Sequence, residues 1–409
     1  MAEDLAACLW TGLRGVQRWA GLSAGERAGM FVPAAPWILD RFSAAEQEAP
    51  EIVPALHVLA LLRLSPQRVS ASDLARACHE IWRWADDRAL LATAGHFAEA
   101  AAYIAADDPV YANDAGWACR RIALHERSAA WYQRGFALAV RARSRQESIR
   151  ALLGYGALLK DAGRAEDARY FFDRASRRAA RTGRRRQAAV ARHYIFALEA
   201  ETGDLESGIA QAREALNLYP IYDRRIPYLA HDYAFLLIRH RYYSRALSLL
   251  ERLVPAISRP DEQVLVLSNV AWAAAGAGLY QASRQAQQRV LSLVPLHGEY
   301  AAAGLIHLAH AARLGGEWKD ARRFAEAAVQ TARARKEAAL EDEALDLQVV
   351  IDARLPTGDE ADPAGEPEGL ESLHRLFTNR LRRWLAPDRR RAGAGASSAR
   401  AGDLDRTRL

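Results

Sequence analysis

The chain has 409 residues, a formal net charge of +6 and 56 basic residues, of which only Lys160, Lys319 and Lys336 are lysine. Ala, Leu, Arg and Glu dominate and β-branched runs are nearly absent, which argues against a sheet and for helix throughout. Three widely spaced cysteines, Cys8, Cys78 and Cys119, suit neither a disulfide framework nor a closely spaced metal cluster, and fit a reducing cytoplasm.

The charge is unevenly placed. Residues 368–409 hold ten arginines against five acids, leaving 46 basic and 45 acidic groups in residues 1–367. A groove for DNA or RNA needs a broad positive stripe, so the near-neutral body points to a protein or peptide partner and away from nucleic acid. The N-terminus, Met1-Ala2-Glu3-Asp4, carries acid where a secretory signal carries positive charge, and the apolar stretch at 53–62 is too short to cross a bilayer. A cytoplasmic protein is expected.

Taken in chain order, residues 1–109 show helical patterns over 5–19, 36–49, 53–64 and 73–86, read as divergent helix pairs continuous with the segment from 110 onward. In residues 71–84, Ser72 is the expected cap and Leu74, Ala77, Cys78 and Ile81 the apolar stripe. A helix-turn-helix reader would need a short Gly-containing turn and a basic recognition helix here, and the segment has neither.

Over 110–335 a turn recurs. Its small residue falls at Ser128, Ala168, Gly208, Ala246, Ala282 and Ala321, with spacings of 40, 40, 38, 36 and 39. Gly163 and Gly316 lie five residues before their markers, where a left-handed residue closes one helix, and acids then favour the next helix's N-terminus. Small or apolar residues recur four and seven positions later, as at Phe172 and Ala175 or Ala325 and Ala328, and twelve positions earlier, at Gly116, Gly156, Ala234 and Ala309. Pro220 and Pro255 fall near the ends of second helices. This pattern resembles the tetratricopeptide repeat (TPR) signature, in units of 36–40 residues rather than 34. The expected fold is all-α, an α-solenoid of antiparallel helix pairs in a right-handed superhelix with a flexible C-terminal tail.

Residues 336–354 read as an acidic capping helix, 355–367 as a Pro- and Gly-containing linker, 368–386 as a basic amphipathic helix, and 387–409 as a disordered tail. Leu373, Phe377, Leu381 and Trp384 form the apolar face of that last helix. It suits docking back on the array, contact with a partner, or peripheral membrane contact through 368–391.

The resemblance implies that first helices line a concave groove. In this register its exposed positions are Arg150, His193, Tyr228, His231, Asp232, Arg239, His307, His310 and Arg313. A second candidate surface, for an acidic partner, is Arg177, Arg178, Arg181, Arg184, Arg185 and Arg186. Neither a phosphate loop nor a nucleophile elbow nor a zinc spacing occurs, and His307 with His310 lacks a third ligand, so no metal, cofactor or catalytic set is expected. The expected function is a non-enzymatic scaffold or adaptor that binds a peptide or protein in the groove. The alternatives are a peptide-sensing regulator whose array passes binding to an effector, and a scaffold tethered to a membrane by its C-terminal helix.

Overall fold

The computed structural model describes residues 3–27, 36–202, 204–294, 298–354, 363 and 365–386; most of the expected linker and all of the tail from 387 lie outside them. The described residues form twenty α-helices and four short 3-10 turns, with no strand among them. No described helix is long and apolar enough to cross a membrane. The chain divides into two compact units, 1–151 and 152–409.

In the first unit, α1 (Glu3–Ala20), α2 (Ala24–Arg27), α3 (Pro36–Glu48) and α4 (Val53–Leu64) precede two helix pairs. These pairs are α5 (Ala71–Asp87) with α6 (Leu91–Ile104), and α7 (Pro109–Arg121) with α8 (His125–Arg141). The boundary between units falls within α9 (Arg145–Asp161), which precedes α10 (Ala165–Arg181). The second unit continues as α11 (Arg185–Thr202) with α12 (Leu205–Leu218), α13 (Ile226–Arg239) with α14 (Tyr243–Leu253), α15 (Pro260–Gly276) with α16 (Tyr280–Leu293), and α17 (Ala301–Leu314) with α18 (Trp318–Arg335). The last two helices are α19 (Ala338–Asp352) and α20 (Leu370–Leu385).

One local device makes the pairs. The marker residue is always the fourth of the second helix, and five residues before it the backbone is left-handed at Ala89, Ala123, Gly163, Arg241, Gly278 and Gly316. The next amide donates back to a carbonyl five residues earlier, as from Leu124 to Cys119 and from Glu317 to Ala312. This is a Schellman-type closure, and it leaves the chain two residues from the next helix. Glycine meets the positive φ without strain at three of the six sites, while alanine or arginine carries a steric cost at the others.

The marker is the packing point. Ser128, Ala168, Gly208, Ala246 and Ala321 are buried, and at Gly156 a β-carbon would meet Phe172 at 2.6 Å. The fifth unit corrects the expected register by one residue, since Ala282 is exposed and Ser283 is buried. Ser128 Oγ donates to the Gly116 carbonyl at 2.8 Å, and Ser283 Oγ makes the same bond to Ala271, each twelve residues back. The α5–α6 pair also obeys the rule, with Ala94 as marker and 34 residues to Ser128. Sequence reading missed α6 because its alanine-rich second half is buried at five successive residues, 98–102, and shows little amphipathic contrast. The cap of α5 is Ser70, which accepts from the Asp73 amide at 3.0 Å, and not Ser72. The architecture is thus an all-α solenoid of TPR-like helix pairs.

Candidate functional site

The first helices carry the polar residues, and counting back from each marker sorts them into three ladders. The residue fifteen positions before one marker hydrogen-bonds the residue fourteen before the next. His79 meets Asp114 at 3.0 Å, His193 meets Asp232 at 3.0 Å, His231 meets Asn269 at 2.9 Å, and Ser268 meets His307 at 2.9 Å. Leu153 and Gly154 hold these positions on α9 and offer no polar side chain, so Arg150 works from one turn earlier. It pairs with Asp114 and with Glu147, both in the first unit.

In the second unit this ladder is continuous through Tyr219, His193, Asp232, His231 and Asn269. Its proton directions follow from the partners. The Tyr219 hydroxyl donates to His193 Nδ1, whose Nε2–H donates to Asp232 Oδ2. On the other side, His231 Nδ1–H donates to Asp232 Oδ1, and Asn269 Nδ2 donates to His231 Nε2. Burial raises the Asp232 pKa, but the two imidazole donors outweigh it and hold the carboxyl well below the carboxylate range. Burial lowers His193 despite its carboxylate partner.

Eleven positions before their markers lie Phe235, Trp272 and His310, a ladder of rings. Phe235 and Trp272 are edge to face at 6.3 Å, and His310 stacks on Trp272 at 4.1 Å. His307 tilts against both Phe235 and Trp272 at 5.5 Å. Burial, with added repulsion from His231 and Arg239, pushes His307 down to about 3, and burial with Arg313 depresses His310 as well.

The third ladder is charged. Lys160 donates to Glu201 at 2.7 Å, and Arg239 reaches the Glu201 carbonyl at 3.5 Å and Glu343 of α19 at 3.2 Å. α19 packs on α17 and α18 and returns to earlier helices: besides Glu343, its Ala339 lies beside Gly163 in the α9–α10 turn. Burial raises the Glu343 pKa against the pull of Arg239. At the other end, Tyr228 donates to Glu262 at 2.9 Å.

The expectation of exposed groove residues needs correction for three of them. Arg150, His193 and His307 are buried, because the side chains that would line an open trough bond instead to a neighbouring repeat: His193 forward to Asp232, Arg150 back to Asp114 and His307 back to Ser268. Tyr228, His231, Asp232, His310 and Arg313 are half-buried and Arg239 is exposed. Asn269, Ser268, Trp272 and Glu343 escaped sequence reading; the first three were hidden by the one-residue slip at Ser283. The Ser268–His307 contact resembles a nucleophile with its base, but Ser268 Oγ donates to the Leu265 carbonyl and so accepts from His307. That is the reverse of activation. Among the described residues no group of three or more His, Cys, Asp or Glu is placed to hold a metal ion.

The arginine cluster is partly engaged. Arg186 pairs with Asp223 at 2.6 Å and Arg185 donates to the Asn217 carbonyl, while Arg177 and Arg181 are exposed and Arg178 is half-buried. α20 packs against α12, α13 and α14. Its Leu370, Leu373, Phe377 and Leu381 are fully buried, with Phe377 stacked on Tyr233 at 4.6 Å. Trp384 Nε1 donates to the Asp223 carbonyl at 3.1 Å.

No family model and no curated protein matches the sequence. Among solved structures, the chain is similar to a Rap protein complexed with competence and sporulation factor (9% identity, 87% of this chain and 100% of that one, TM-score 0.47). It is similar also to a Rap conjugation gene regulator of plasmid pLS20 in complex with a Phr peptide (12%, 86% and 99%, 0.41). A third likeness is to the TPR domain of P58(IPK) (15%, 84% and 98%, 0.21). At these scores the likeness reaches neither residues nor ligands, and the repeat rests on the chain's own geometry.

Proposed function

We propose that the chain is a non-enzymatic adaptor that takes up a peptide or protein segment on the first-helix face of its second unit. The observation that carries this reading is the ring ladder Phe235, Trp272 and His310 running beside the Arg239–Glu343 pair. The half-buried Phe235 and His310, backed by the buried Trp272, give a bound segment apolar area, and an imidazole with depressed pKa offers hydrogen bonds without charge at neutral pH. The half-exposed Arg239–Glu343 pair can be exchanged for a ligand's terminus or charged side chain. Both signs of charge occur on this face, which fits a polypeptide better than a phosphate backbone.

The return of α19 onto α13 favours a second reading, that ligand entry displaces α19 and the array thereby reports binding to an effector. Capture from native lysate with wild type and a His231→Ala, Arg239→Ala double variant tests the site. A partner held by wild type and lost from the double variant is the expected result. Identical partner sets would remove the first-helix face from consideration, and dependence on residues 368–409 would move the function to the C-terminal segment.

A further inference from the structure

Two surfaces that are separate in sequence meet at one edge of the second unit, where helices end. Arg380 of α20 lies at the C-terminus of α12, with its guanidinium 3.4 Å from the carbonyls of Leu216, Tyr219 and Pro220. Arg185, the first residue of α11, donates to the Asn217 carbonyl in the same stretch. Asp223 joins them, taking Arg186 on its carboxylate and Trp384 on its carbonyl. Around this junction Arg181, Arg184, Arg185, Arg224, Arg382 and Arg383 are exposed, and the turn between α12 and α13 presents Ile221 and Tyr222, each 44% exposed. Arg181, Arg382 and Arg383 make no ion pair among the described residues. The nearby acids are engaged: Asp223 is buried against Arg186, and Glu214 pairs with Arg192 at 2.9 Å.

We infer that the docking of α20 completes a peripheral membrane-binding surface, in which a ring of arginines meets anionic phospholipid headgroups and Ile221 and Tyr222 enter the interface. The apolar face of α20 does not serve as the insertion surface, because Leu370, Leu373, Phe377 and Leu381 are consumed by the array. What remains exposed is the complementary set: guanidinium groups, which suit phosphate bidentately, and an aliphatic and an aromatic side chain at a turn tip. Turn tips and helix ends suit a soft, flat target better than an extended segment, which needs a strand edge or a groove.

Sedimentation of the full chain with phosphatidylcholine vesicles containing about 30% phosphatidylserine, in about 0.1 M salt, tests this. Binding to these vesicles and not to pure phosphatidylcholine is expected. Each arginine removed should weaken partition about fivefold, so Arg382→Ala with Arg383→Ala, and separately Arg184→Ala with Arg185→Ala, should each cost about thirtyfold. Ile221→Ser should weaken binding without altering charge. The substituted side chains are exposed, and the Arg185 hydrogen bond to the Asn217 carbonyl is a surface one, so thermal unfolding should stay near the wild-type midpoint. Indifference to the Arg184 and Arg185 pair would mean that α20 acts alone, and would overturn the composite surface. Equal binding to neutral vesicles, or capture of poly-glutamate with no vesicle binding, would overturn the membrane assignment, the latter giving the edge to an acidic protein. None of these outcomes bears on the first-helix face, whose variants lie elsewhere.

Discussion

His193, His307 and His310 are held neutral by burial, and that carries a pH dependence with a definite sign. Free histidine titrates near 6.5, so below that value the unfolded chain takes up protons that the folded chain refuses. Their stabilisation is complete above about pH 6.5 and is lost as pH falls, for His307 down to about 3. Asp232 acts in the same direction, but only below the ordinary carboxylate range. Chemical denaturation between about pH 6 and 4.5 should therefore show stability falling by up to about 1.4 kcal/mol per pH unit per histidine. His307→Gln should make that slope shallower by about one histidine's share; an unchanged slope would place the proton uptake elsewhere.

For the helix pair, the unit of construction is the marker residue and the left-handed turn before it. Ala321 is fully buried while Ala282 is exposed, although sequence reading gave both the same place in the repeat. Ala321→Asp should cost ~2–5 kcal/mol by burying an unpaired carboxylate, and Ala282→Asp should stay within about 0.5 kcal/mol. Similar melting temperatures for the two would refute the register built on Ser283. The α9 helix interrupts the hydrogen-bonded ladder because Leu153 and Gly154 hold its two positions. Across Asp114, His79 and Arg150 still bind from opposite sides, so the first unit keeps its own buried network.

In the whole molecule, α20 is an element far along the chain that fills a site on the array. Arg213 donates to the Gly369 carbonyl at 2.9 Å, Arg245 pairs with Glu371 at 2.6 Å, and Tyr242 donates to the Gly365 carbonyl at 2.9 Å, so its start is anchored as well as its apolar face. A charge at the centre of that face cannot be accommodated beside Tyr233. Phe377→Asp should release α20, and limited proteolysis should then cut between 354 and 385 much faster than in wild type while the helix pairs stay folded. Equal cleavage rates would show that the rim contacts hold α20 without its core.

What the sequence determined alone is what local chemistry sets. Helix periodicity, the small marker residue, the turn five positions earlier and the apolar stripe of α20 all act over a few residues, so they are legible as spacing. The slip at Ser283 and the hidden α6 show its limit, since a neighbouring alanine fits the pattern equally well and an alanine-rich helix buried over several successive residues has little face to read. Tertiary structure alone decided which polar residues pair. His193 finds Asp232 and His231 finds Asn269 across 39 and 38 residues, and α20 meets its site across 126 to 164. Those contacts depend on how successive helices stack, and stacking brings buried donors to acceptors because an unpaired polar group inside is costly.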